Sequence, residues 1–185
     1  MAKNKNYPLY EVERFTDFKD MLCRADEEAG DKTAIRYYTN FAEKQTRDVT
    51  YHEFRHEVGC LGTGLAALGV TADHVAMVSE NRYEWILAYL TILCTEGVWV
   101  PVDKELPFPE ILNILAHSDS KVVFFSSHYE EKFRDAADKL PWIKYFVGID
   151  MNTEDEGGRF ISMKSVMAHG EELLAAGDNA FTSLE

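Results

Sequence analysis

The sharpest chemical pattern in the sequence is His52-Glu53-Phe54-Arg55-His56. Two histidines four residues apart, with a glutamate after the first, form the H-E-x-x-H arrangement. On a helix such imidazoles hold zinc and the glutamate serves as general base of a metallopeptidase. Gly59 stands where the longer H-E-x-x-H-x-x-G-x-x-H form has its glycine, but the third ligand position is Gly62, which has no side chain to offer. At about 100° per residue, His52 and His56 project from the helix face opposite Phe54, Val58, Leu61, Leu65 and Leu68, toward solvent. Glu53 also lies three residues after Thr50, the spacing of a capping box, which gives the carboxylate a structural task.

Three other constellations invite chemistry. Asp103 and Asp150 follow apolar runs, where an α/β domain places functional groups at strand ends. They allow a flavodoxin-like binding module or a phospho-accepting receiver, although the paired acids of a receiver's magnesium site are missing. Ser126, Ser127 and His128 are adjacent, whereas nucleophile and base are normally brought together by the fold and not by sequence. Gly59, Gly62 and Gly64 read G-x-x-G-x-G inside a helix, not the dinucleotide-binding G-x-G-x-x-G after a strand, and fit close helix packing better. No catalytic, cofactor-binding or metal-binding residue is assigned.

Composition limits the alternatives. A net charge of −13 argues against nucleic acid, whose phosphates must be met by clustered Lys and Arg. Cys23, Cys60 and Cys94 form no CxxC pair and suit a reducing, cytoplasmic setting. The most apolar run, Trp85 to Cys94, is shorter than the ~18–20 residues of a membrane span, and no signal peptide is visible.

The elements that must position these groups alternate. An extended arm and a helix from about Asp17 to Ala29 occupy residues 1–30. Thr33–Tyr38 and Gln45–Val49 read as a hairpin with a six-residue loop at the edge of the main sheet. Thr50 opens the clearest helix, and Gly69 stops it; burying its five-residue apolar stripe contributes on the order of 10 kcal/mol before entropy. Strands follow at Val75–Val78, Val98–Val102, Val122–Phe125 and Tyr145–Ile149. Between them come a helix capped by Asn81 with Glu84 and running through Cys94, one begun by Pro109, and a more exposed one striped by Phe133, Ala136, Ala137 and Leu140. An acidic loop spans Asn152–Gly158, and a last helix spans Ser165–Ala176. Single-helix crossovers imply a parallel sheet, hence an α/β layered sandwich with helices on both faces plus an edge β-hairpin. Leu184-Glu185 reads as a cloning scar.

Several segments, in order, resemble AMP-forming acyl-CoA synthetases of the long-chain fatty acid type. Asp31-Lys32-Thr33-Ala34-Ile35 resembles the early strand, and Val49-Thr50-Tyr51-His52-Glu53-Phe54 the T-Y-x-E-[LF] helix start, which also accounts for the peptidase-like pattern. Asn81-Arg82-Tyr83-Glu84-Trp85 resembles N-R-x-E-W, Gly97 to Asp103 the G-x-x-x-V-P-x-[DN] strand, and His117-Ser118-Asp119-Ser120-Lys121 the H-S-x-x-K turn. The resemblance implies that residues 31–183 are the first α/β subdomain of the large N-terminal domain, on which the remaining subdomains dock. It implies a parent that uses ATP, Mg²⁺, CoA and a fatty acid, in the cytoplasm or peripheral to a membrane. The Gly-rich, lysine-containing phosphate loop and the C-terminal domain are expected beyond residue 185, so this fragment is expected to be inactive and to bind none of these cofactors. After Val100-Pro101 the sequence continues Val102-Asp103-Lys104-Glu105-Leu106, where many long-chain members carry a tyrosine and a threonine.

Overall fold

The computed structural model describes residues 14–151, 154–155 and 158–182. Its centre is a five-stranded parallel sheet of β3 (His74–Val78), β4 (Val98–Pro101), β5 (Val122–Phe125), β6 (Tyr145–Gly148) and β7 (Phe160–Ser162), in the order β4-β3-β5-β6-β7. Registers such as Val75↔Val122 and Val122↔Tyr145 align the apolar runs of the three inner strands. Because strand side chains alternate, each run serves two cores. Val75, Met77, Val122, Phe124 and Val147 face one side; Ala76, Val78, Val123, Phe125 and Phe146 face the other. All ten are fully buried.

The first core is roofed by α1 (Phe18–Ala29), α2 (Tyr51–Ala67), α3 (Tyr83–Leu93) and α6 (Met163–Ala175), the second by α4 (Phe108–His117) and α5 (Glu130–Ala136). The capping box that opens α2 is complete: Thr50 Oγ1 accepts from the Glu53 N–H at 3.1 Å, and the Glu53 carboxylate accepts from the Thr50 N–H at 2.8 Å. Phe54, Val58, Leu61 and Leu65 are buried as the stripe requires, with Leu68 partly so. Gly69, at φ +72°, ends the helix with Val70 N–H donating to Leu65 and Gly69 N–H to Ala66, the paired bonds of a Schellman stop.

The glycines of α2 do pack a helix. A Cβ on Gly64 would fall on the Val166 carbonyl oxygen, and one on Gly170 of α6 would fall on that of Cys60. Side chains are absent at the crossing because backbone meets backbone there. Gly62 gives way in the same manner to the Phe181 ring.

Some expectations change. β1 (Thr33–Asn40) and β2 (Gln45–Thr50) do form an antiparallel hairpin, but with a four-residue loop and as a separate two-stranded sheet, not at the edge of the main one. It is held instead by Tyr37 stacked on Tyr83 (centroids 4.8 Å apart) and by Glu57, which accepts from Arg47 at 2.8 Å and from the Tyr83 hydroxyl at 2.7 Å. Asn81 does not cap α3; Arg82 holds that position, without a side-chain cap bond. The helix striped by Phe133, Ala136, Ala137 and Leu140 is exposed on its other face at Glu131, Lys132 and Asp135, as expected, but α5 itself stops at Ala136; Phe133 is wholly buried, with Phe108, Phe125 and Phe146 around it. β7 was not expected, and α6 starts earlier, with Ser162 Oγ accepting from the Ser165 N–H at 3.0 Å. Residues 1–13 of the N-terminal arm, parts of the acidic loop and Leu184-Glu185 lie outside the described residues. Among the described residues no helix is long and apolar enough to cross a membrane.

The helix crossing yields a paired test. Gly64→Ala and Gly170→Ala should each lower unfolding free energy by about 1–3 kcal/mol or more, the cost of overpacking against backbone. Gly59→Ala, whose methyl makes ordinary contact 3.7 Å from Leu174, should instead raise it by up to about 1 kcal/mol through helix propensity. Urea denaturation of the three variants reads both signs.

Candidate functional site

A parallel sheet gathers the C-terminal ends of its strands on one rim. Here the chain passes from β3 to β4 on one side and returns to β5 on the other, and a crevice outside the strand ends at such a reversal is where α/β sheets place ligands. The rim is supplied by Ser79–Arg82 after β3, Val102–Glu105 after β4, Ser126–His128 after β5 and Asp150 after β6.

Arg82 ties the rim together. Its guanidinium donates to Glu84 at 2.7 and 3.2 Å and to Asp150 Oδ2 at 2.8 Å. These carboxylates, Glu84 foremost, stabilise the charged form and raise the Arg82 pKa further. Asp150 also accepts from the Ser127 N–H at 2.6 Å and the Ser127 hydroxyl at 3.1 Å. One carboxylate thus joins the ends of β3, β5 and β6.

The loop after β4 is fastened separately. Asp103 accepts from the Glu105 N–H at 2.9 Å, Lys104 pairs with Glu105, and the Tyr129 hydroxyl donates to the Lys104 carbonyl at 2.6 Å. Burial, then the Glu80 carboxylate, pushes the Tyr129 phenol up. Ser126 Oγ is buried with no hydrogen-bond partner among the described residues. Two crevices meet at Asn81 and Trp85: one of about 470 Å³ beside Tyr37 and Arg82, one of about 660 Å³ beside Asp103 and Lys104. Trp85, edge-on to Trp99 at 5.4 Å, gives both an aromatic wall.

This donor set does not fit a nucleotide triphosphate. The rim cations Arg82 and Lys104 are already engaged by carboxylates. The helices that follow the rim strands start at Arg82, Pro107 and Ser126, none with the glycine turn that exposes several N–H groups to phosphate. The rim offers an apolar wall and fixed polar groups, without a nucleophile paired to a base.

The peptidase-like residues come apart. His52, with 74% of its side chain exposed, puts Nδ1 3.1 Å from Asp26, whose other oxygen accepts from Arg55 at 2.8 Å. Glu53 is occupied in the capping box, and His56 lies 3.5 Å from Cys60 Sγ and 3.9 Å from Glu171. Among the described residues no three His, Cys, Asp or Glu side chains are grouped to hold a metal. The strand order β4-β3-β5-β6-β7 is the one flavodoxin-like folds use, but Asp103 and Asp150 are committed to loop and ion-pair bonds, and His128 lies edge-on to Tyr129.

Comparison with known proteins decides between these readings, for residues 22–181 match the family described as AMP-binding enzyme. The chain belongs to the AMP-binding enzyme family. Over 133 residues it is 29% identical to tyrocidine synthase 3 of Brevibacillus parabrevis, covering 71% of this chain and 2% of that protein. Over 78 residues it is 33% identical to the long-chain-fatty-acid–CoA ligase FadD15 of Mycobacterium bovis, covering 42% of this chain and 13% of that protein. The anthranilate CoA ligase AuaEII shares its fold at a TM-score of 0.72 and 19% identity, over 85% of this chain and 29% of that one. The chain therefore spans less than a third of each of these proteins.

Within this AMP-binding domain the rim's main connection, Arg82 to Asp150, was not foreseen. One residue belongs to the N-R-x-E-W segment and the other is a strand-end aspartate, but nothing in the sequence says that they meet across 68 positions.

Asp150→Ala should lower stability by about 1.5–3 kcal/mol, the range for hydrogen bonds to charged groups, and free the Ser127 turn, measured by denaturation and by amide exchange at Ser127. The Arg55 hydrogen bond, ahead of the His52 contact, holds the Asp26 carboxyl below its ordinary value. Its stabilisation is therefore complete above the unfolded pKa, about 3.9, and is lost as pH falls through the lower folded value. Asp26→Asn should flatten that part of the acid limb while leaving the slope above about pH 5 unchanged, as urea midpoints from pH 2 to 7 will report.

Proposed function

We propose that this chain is the first α/β subdomain of the large N-terminal domain of an AMP-forming acyl-CoA ligase. In that reaction a carboxylate attacks the α-phosphate of ATP, pyrophosphate leaves, and the CoA thiol then displaces AMP from the acyl-adenylate. The observation that carries the reading is the family match across residues 22–181, which takes in both cores and the rim. The rim's engaged cations agree with it, since they leave the handling of ATP and Mg²⁺ to other parts of the protein.

In this reading no residue of the chain is catalytic. The subdomain is scaffold, and the crevices at Asn81 and Trp85 contribute a wall of the acyl pocket. A long-chain fatty acid is the proposed substrate. The N-R-x-E-W segment and the identity with the mycobacterial long-chain ligase support it. Other relatives' names give 4-hydroxybutyrate, anthranilate and coronafacic acid, so acids of different length are compared in the assay. The parent works in the cytoplasm or at a membrane surface, and its further subdomains dock on this one.

The test is to read the gene downstream of residue 185 and express the longer product. ATP–pyrophosphate exchange driven by long-chain acids is expected from the longer protein and absent from the 185-residue chain. Exchange by the short chain alone, or a coding region without a Gly-rich lysine loop, would overturn the proposal. A preference for amino acids would move the substrate assignment to the peptide-synthetase side of the family.

A further inference from the structure

A separate cavity, of about 210 Å³, lies away from the rim, where α1 and α2 meet the C-terminal end of α3 and the segment at Phe181. α3 starts at the rim and ends at this cavity, about 16 Å away by its helical rise. Leu22, Val58, Cys94 and Phe181, all buried, form its walls. Lys19 and Arg55 are its cationic lining residues, and both are partly exposed, so they stand where the apolar space opens to water.

We propose that this cavity binds a small aromatic carboxylate, its ring among the apolar walls and its carboxylate between Lys19 and Arg55. A closed apolar cavity of about 150 Å³ stays dry and takes up benzene, so the larger volume here accommodates one ring with a carboxylate attached. An anion buried without a partner is prohibitively costly, which confines the carboxylate to the cationic opening. Arg55 is held there in advance: its Nη1 donates to Asp26 at 2.8 Å, leaving its other N–H groups for a ligand that approaches from the cavity side. Lys19 is set over the Phe181 ring, its Nζ 5.8 Å from the centroid, on the border between the apolar wall and solvent. Cys94 acts as apolar wall: burial pushes its thiol up to about 12, so it stays protonated near neutral pH.

Cys23, partly exposed and in the lining, reports occupancy. In the full 185-residue chain, the rate of Cys23 alkylation by iodoacetamide, located by peptide mass spectrometry, is followed against benzoate and benzyl alcohol. Benzoate should slow alkylation saturably, with benzyl alcohol needing about tenfold higher concentration, the factor a charge-assisted hydrogen bond of about 1.4 kcal/mol makes. Lys19→Gln should erase that difference, and Leu22→Phe, which fills the space, should remove protection by both. Absence of protection, equal protection by the two compounds, or a Lys19→Gln chain that still prefers benzoate would overturn the proposal. Lys19→Gln keeps a long polar side chain at a partly exposed position, and with its urea midpoint measured alongside it decides the matter even if Leu22→Phe fails to fold. Ligase activity enters none of these readouts, so the result stands apart from that of the pyrophosphate exchange.

Discussion

A parallel sheet has to be covered on both faces, and here that requirement is met by strands in which nearly every residue is apolar. From Val75 to Val78 and from Val122 to Phe125 no side chain reaches solvent. Each strand therefore contributes to two cores, and the helices must divide between them, among the described residues four α-helices on one face and two on the other. The division places the reversal in strand order between β3 and β5 and brings Ser79–Arg82 and Ser126–His128 side by side. The rim is thus a consequence of how the sheet is buried.

What the sequence disclosed was local. The capping box at Thr50 and Glu53, the stop at Gly69 and the apolar runs of β3 and β5 depend on residues within a turn or a strand of one another, and they appear as expected. The hairpin was legible as a hairpin, but its position was not, because Tyr37 reaches Tyr83 across 46 positions of chain. Asn81 and Glu84 have the spacing of a cap, yet Glu84 turns to Arg82, which is itself drawn to Asp150. The three residues of β7 are too few to display an alternating pattern, and they are fixed by pairing with Phe146, Val147 and Gly148.

The functional residues followed the same division. H-E-x-x-H is a statement about one helix face, and the fold gives its members separate partners: Asp26 for His52, the Thr50 N–H for Glu53, Cys60 and Glu171 for His56. The collinear family segments were the stronger signal because they recur in order from Asp31 to Lys121, and the family match over residues 22–181 contains them all. The rim's arginine and aspartate had to be seen in space.

The bare backbone contact between α2 and α6 bears on the order in which the molecule can assemble. Gly64 leaves the ribosome about a hundred residues before Gly170, so at ~5–20 residues per second the glycine face of α2 waits several seconds or more for its partner. During that interval the Cys60 and Gly64 backbone remains open to water, and the first core is incomplete on that flank. Completion of the first core thus awaits the emergence of α6, and nascent chains halted before residue 163 would present chaperones with an unfinished surface.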